Sequence, residues 1–252
     1  MKGRKMMDDK IFKVAENVNI AKDIYRAVLI GDTAAITAPG QFVNIKLDGL
    51  YLRRPISVCD CEGEKLTLIY KVVGEGTEIM KNTAVGAEWD VLTGLGNGFD
   101  VAKCKGETAL LVGGGVGVPP LYMLAKRLIE AGKRVIVVCG FASAADVFYE
   151  AEFKALGAET YIATADGSYG TKGFVTDVIK NLSGYDYFYS CGPIPMFKAM
   201  ESVVTTSGQY SFEERMGCGF GACMGCSCET KYGNKRICRD GPVLEREEVI
   251  WD

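Results

Sequence analysis

Cys218, Cys223 and Cys226 stand in the pattern C-x4-C-x2-C, and eleven residues separate the last of them from Cys238. This spacing constrains the chain more than any other feature. Close thiols followed by a distant fourth match the plant-type arrangement of four thiolate ligands on a [2Fe–2S] cluster. A loop wrapped around such a cluster must bend sharply and turn amide N–H groups toward sulfur. Gly217, Gly219, Gly221 and Gly225 supply positions without a Cβ to clash. A structural zinc site is the alternative, although zinc favours paired C-x2-C hooks and only one is clear here. Cys228, two residues past Cys226, is the competing third ligand, and the spacing favours Cys226.

Composition narrows the chemistry further. The chain has no histidine, which excludes a histidine base, a Ser-His triad, a Rieske centre and histidine-ligated zinc or haem. It has ten cysteines, five of them between positions 218 and 238. The opening MKGRKMMDDK lacks the apolar stretch of a secretory signal, and no apolar run is long enough to span a membrane. A soluble cytoplasmic protein is therefore expected, with clustered cysteines that bind metal rather than form disulfides. A net charge of −3, with both signs spread along the chain, gives no case for nucleic acid.

The first hundred residues read as strands and turns. Residues 41–47 (QFVNIKL) and 65–73 (KLTLIYKVV) alternate apolar and polar, and glycine-rich turns follow at 73–77 (VGEGT) and 93–99 (TGLGNGF). No helix is expected there; the pattern predicts a small antiparallel β-barrel or sandwich. The character changes near Lys105. An apolar strand at 108–112 leads into GGGVG at 113–117, then a helix with Leu121, Leu124, Ala125, Leu128 and Ile129 on one face. Pro119 and Pro120 suit its first turn. Strands are expected at 134–139, 159–163 and 186–190, with helices at 144–156 and 173–182 between them. Strand alternating with helix predicts a parallel sheet covered on both faces. The fold class is thus α+β and multi-domain: a barrel over 1–103, an α/β nucleotide-binding domain over 104–207 and a cysteine loop over 208–252.

Other motifs add to the cluster. Arg53-Arg54-Pro55-Ile56-Ser57 offers a guanidinium fork for pyrophosphate and a hydroxyl for a polar ring edge. Tyr70 and Lys71 on a strand can face a flavin, and Gly76 and Thr77 can meet phosphate; taken alone, these stretches also read as ordinary turns. The strand–GGGVG–helix unit is a phosphate-friendly turn. It is not the full dinucleotide fingerprint, because Val118 stands where the third glycine would be. Cys191-Gly192-Pro193 follows a strand end, where ligands bind in α/β sheets; a buried small residue is the alternative for Cys191. Cys59, Cys61, Cys104 and Cys139 show no pattern. Residues 140–145 (GFASAA) carry no arginine for an extra phosphate and Asp146 follows, which favours NAD over NADP.

The order RPIS, YK, GEGT, GGGVG, CGP and C-x4-C-x2-C…C, with DGPV after Cys238, resembles the electron-transfer subunits of bacterial NAD-dependent dihydroorotate dehydrogenases. They form part of the ferredoxin–NADP reductase superfamily. The resemblance covers nearly the whole chain. It implies FAD against Arg54, Pro55, Ile56, Ser57, Ile69, Tyr70, Lys71, Gly76 and Thr77. It implies NAD over Gly113, Gly114, Gly115 and Gly117, with Cys191 and Gly192 near the nicotinamide. The cluster would be held by Cys218, Cys223, Cys226 and Cys238 and would face an FMN-containing catalytic subunit, in a heterotetramer serving pyrimidine biosynthesis. Ile56 departs from the R-x-Y-S pattern of many superfamily members. Other flavin iron–sulfur oxidoreductase subunits share these parts, and a zinc-stabilised nucleotide-binding regulator is the reading from a different class.

Overall fold

The computed structural model describes residues 8–251. The charged opening, residues 1–7, in which no secretory signal is expected, lies outside the described residues. Six antiparallel strands come first: β1 (Asp8–Ala21), β2 (Ile24–Ile30), β3 (Phe42–Lys46), β4 (Arg54–Glu62), β5 (Lys65–Lys71) and β6 (Glu88–Leu95), with helix α1 (Glu75–Lys81) between the last two. They close into a barrel in the order β1-β2-β5-β4-β3-β6. Closure leaves no unpaired edge. Alternation decides what fills it: Leu66, Leu68 and Tyr70 of β5 point inward to join Val43, Ile45, Val58 and Val91.

The helix α1 departs from the all-strand expectation. Its sequence GEGT is not a hairpin turn. The Thr77 hydroxyl accepts from the amides of Val73 and Gly74 at 2.9 and 3.2 Å and donates to the Gly74 carbonyl at 3.0 Å. That local bonding satisfies donors a helix start leaves open.

The second layer is a seven-stranded sheet. Its strands are β7 (Thr108–Gly114), β8 (Arg134–Phe141), β9 (Glu159–Thr164), β10 (Thr171–Lys172), β11 (Tyr187–Cys191), β12 (Gly208–Ser211) and, later in the chain, β15 (Val243–Glu245). The order is β10-β9-β8-β7-β11-β12-β15, parallel except for β15, which runs antiparallel to β12. The chain moves outward from β7 through β8 to β10, then returns to β11 on the other side of β7. That reversal opens a crevice at the carboxyl ends of β7 and β11.

Four helices belong to this layer: α2 (Pro120–Glu130), α3 (Glu150–Ala155), α4 (Val175–Ile179) and α5 (Ile194–Met200). Pro119 and Pro120 open α2 as the sequence suggests. The helix expected over 144–156 is broken. A tight turn at Ala144–Asp146 precedes Tyr149, whose left-handed φ of 66° interrupts it before α3. The helix expected over 173–182 shortens to α4; Gly173, at φ +122°, holds its start back to Val175.

The cysteine segment forms a small hairpin, β13 (Ser227–Cys228) with β14 (Lys235–Arg236), and a short helix α6 (Ile237–Asp240). The sheet continues across the division drawn at 207/208: β12 pairs with β11, and β15 brings the segment back onto β12. Cys226, Ile237 and Cys238 pack in one apolar cluster with Phe42, Leu92 and Leu95 of the barrel. The cysteine loop therefore covers the outer face of β3.

Candidate cofactor sites

The loop from Gly217 to Cys226 folds back on itself through glycines at φ +77° (Gly219) and +91° (Gly221). This aims amides at sulfur. The N–H groups of Ala222 and Cys223 point to Cys218 Sγ at 3.2 and 3.4 Å, and that of Cys238 points to Cys226 Sγ at 3.4 Å. Burial opposes ionisation of Cys218, but amide donors from Cys223, Phe220 and Ala222 outweigh it and bring the thiol down to about 6. Burial and the adjoining Cys226 push Cys238 up to about 12. Cys218 adjoins Cys223 and Cys238 adjoins Cys226, and Cys238 also feels Cys218, so the two pairs stand near each other. Among the described residues no group of three such side chains converges on one ion. Two pairs fit a cluster in which each of two irons takes two thiolates. Cys228 stands apart on β13, its thiol raised by burial and by the charges of Glu214, Cys226 and Glu248.

The crevice at the sheet's switch point is a cavity of about 720 Å³ lined by Gly114, Gly115, Gly117 and Gly192, by Phe141 at the end of β8 and Asp146 beyond it, and by Lys71 from the barrel. The two glycine turns stand back to back. A Cβ at Gly117 would lie 2.1 Å from the Cys191 carbonyl oxygen, and one at Gly192 would lie 2.5 Å from Met196 Cε. Gly113 and Cys191 pair in register one layer below. Cys191 is buried, its thiol pushed up to about 12 by that burial, so it supports the turn rather than lining the crevice.

On the barrel, Arg54, Pro55, Ile56 and Ser57 are half-buried along the start of β4. Arg54 lies across the first turn of α1: a Cβ at Gly76 would meet Arg54 Nε at 2.0 Å. The RPIS and GEGT stretches are thus brought together. Arg53 is committed elsewhere, bonding Asp90 at 2.8 Å and Asp9 at 3.0 Å. Tyr70 departs from expectation. Its ring is 2% exposed inside the barrel, stacked 5.9 Å from Tyr25, and its hydroxyl donates to Asn17 at 2.8 Å. Only its backbone can face a flavin. Ile69, on the opposite face of β5, packs instead with Ile24 in the apolar cluster shared with α2 and β7.

The family model described as the iron-sulfur cluster binding domain of dihydroorotate dehydrogenase B matches residues 213–250, and that of the oxidoreductase NAD-binding domain matches residues 111–202. The chain is 51% identical over 250 residues to the Fusobacterium nucleatum dihydroorotate dehydrogenase B (NAD(+)) electron transfer subunit, an alignment covering 94% of this chain and 96% of that one. The subunit of the same name from Shouchella clausii is 49% identical with the same coverage. The chain belongs to this family.

Among solved structures, that of the NADH-dependent reduced ferredoxin-NADP oxidoreductase, described for flavin-based electron bifurcation, superposes with a TM-score of 0.86. It is 30% identical and covers 100% of this chain and 92% of that one. Amycolatopsis cytochrome P450 reductase GcoB shares the fold, with a TM-score of 0.70 at 24% identity over 79% of this chain and 66% of that one. The cofactor set of this family member is an iron–sulfur cluster, FAD and NAD. Sequence patterns left several crevice residues unassigned, among them Phe174, 67% exposed, and Glu213 beyond β12. Exposure of a large aromatic beside two glycine turns is a signal that only the folded chain displays.

Proposed function

We propose that this chain relays electrons from dihydroorotate oxidation in an FMN-containing catalytic partner to NAD, within pyrimidine biosynthesis, as part of a cytoplasmic heterotetramer. One observation carries the reading. The barrel meets the nucleotide crevice through Lys71 on β5 and carries the cysteine loop on β3, so one small domain adjoins both ends of a relay. FAD, when bound, would supply chemistry that accepts electrons one at a time and gives them up in pairs as a hydride, which suits a one-electron cluster on one side and NAD on the other.

The side chains divide the work. Arg54, Ser57, Gly76 and Thr77, with the backbone of Ile69–Lys71, hold the flavin; Pro55 and Ile56 shape its bed. Gly114, Gly115, Gly117 and Gly192 let a dinucleotide approach the backbone, with Gly113 and Cys191 setting the turns from beneath. Cys218, Cys223, Cys226 and Cys238 hold the cluster. Asp146 faces the crevice while accepting from Ser143 Oγ at 2.6 Å, and its charge disfavours a second phosphate there.

Co-expression with an FMN-containing dihydroorotate dehydrogenase chain tests this. The expected complex shows flavin and iron–sulfur absorption and reduces NAD with dihydroorotate. A complex that ignores dihydroorotate but exchanges electrons between NADH, NADP and ferredoxin would instead support the reading favoured by the 30% identical neighbour.

A further inference from the structure

Asn44 occupies an unusual place. It lies on β3, paired with Pro55 of the RPIS stretch on one side and Leu92 on the other. Its neighbours Val43 and Ile45 point into the barrel core, so Asn44 faces outward. Yet it is only 1% exposed, because the cysteine loop covers it. Its Nδ2 donates to the Cys218 carbonyl at 3.5 Å, and a Cβ on Gly219 would come within 2.3 Å of the same nitrogen. Its own carbonyl accepts from Arg53 Nη1 at 3.3 Å. Its Oδ1 is buried with no hydrogen-bond partner. An apolar side chain would fill such a place without leaving a buried oxygen unpaired. A polar amide here is best accounted for by what it holds.

We propose that Asn44 is a positioning residue that fixes the Cys218 peptide, and with it the Cys218–Cys223 side of the cluster, against the flavin-bearing strand pair β3–β4. Residues around a metal site that orient its ligands tune its potential and activity. Asn44 orients the loop through the peptide that carries the first ligand and ties that loop to the strand beside Pro55. The inference rests on the cofactor reading above and adds a residue outside its ligand set. No new electron donor or acceptor is required: two single electrons from the cluster balance one hydride given to NAD, and the NADH-driven assay below runs the same steps in reverse.

The test uses the complete complex with Asn44→Leu, which keeps the branched shape and removes the donor, and Asn44→Asp, which keeps the size and sets a charge against the Cys218 carbonyl. Flavin reduction by NADH is expected to proceed at the parent rate in both. Transfer from flavin to cluster is expected to slow about tenfold or more, the usual scale for such outer residues. The cluster's electron paramagnetic resonance g-values and midpoint potential should shift in both, and in different amounts. Unchanged g-values, potential and flavin-to-cluster rate in two variants that retain the cluster would overturn the inference. If both variants lose the cluster, Asn44→Gln, which restores the amide, must recover it; failure to do so also overturns the inference. A parent complex lacking the cluster would instead sink the cofactor reading itself.

Discussion

Cys226 and Cys228 lie two residues apart and meet different surroundings. Cys226 is 2% exposed and accepts the Cys238 amide at 3.4 Å, whereas Cys228 sits in register with Lys235 on a two-residue strand. Cys226→Ser is therefore expected to abolish the cluster's visible and paramagnetic signals, and Cys228→Ser to leave them intact. The reverse result would reassign the third ligand. Gly117 presents a different kind of constraint. A methyl there would lie 2.1 Å from a backbone carbonyl oxygen that has nowhere to go, since Cys191 is locked in the sheet between β7 and β12. Gly117→Ala should cost about 1–3 kcal/mol, the range for forced overpacking, and weaken NADH binding as the two turns part. Denaturant unfolding beside an NADH titration measures both; an unchanged midpoint with unchanged affinity would show that the turns can separate freely.

Among the elements, β15 decides whether the cysteine segment behaves as part of the sheet. Its Glu245 accepts from Tyr187 at 2.9 Å and Gln209 at 3.0 Å, and pairs with Lys103 at 3.0 Å. Burial alone would raise this carboxyl, but bonds from Gln209, Lys103 and Tyr187 outweigh it and hold the group below its ordinary value of 4.5. A carboxyl depressed on folding contributes fully above its unfolded value and loses that contribution as pH falls through the folded value. Acid below pH 4.5 should thus loosen β15, and Glu245→Gln should flatten the loss of stability there. Parallel stability curves for the two proteins in acid would refute the assignment. The same strand shows what could be read from sequence and what could not. The cysteine spacing, the glycine turns and the α2 face are local patterns, and they were legible. The strands β12 and β15 are four and three residues long and owe their existence to partners far away in the chain. The inward turn of Tyr70 depends on register, which a single strand does not display. The broken helix before α3 hangs on one residue, Tyr149, in a conformation that its type rarely adopts.

In the whole molecule, two of the barrel's joints among the described residues lead to different neighbours. At Asn44 the barrel carries the cysteine loop. On β4, a few residues beyond RPIS, Asp60 and Glu62 receive Lys126 from α2, with Lys126 Nζ 2.9 Å from Asp60 Oδ2. Lys22 adds a backbone bond at 3.0 Å to Ala145, beside Asp146 of the crevice. Because the crevice takes one wall from the barrel, a looser second joint should misplace nicotinamide relative to flavin without touching the cluster. Lys126→Met keeps an aliphatic chain and removes the charge that Asp60 and Glu62 receive and that lies 6.0 Å from the Tyr122 ring centre. The exposed Glu62 contributes little, so the loss should be about 1 kcal/mol, between an exposed pair and a charged buried bond. NADH-driven flavin reduction should slow, while the cluster's spectrum and its reduction by a pre-reduced flavin stay at parent values. This is the opposite of the pattern predicted for Asn44→Leu. Rapid-mixing kinetics on the two variants side by side resolves the steps. If both slow the same step, the two joints do not act separately and the barrel moves as one body with its neighbours.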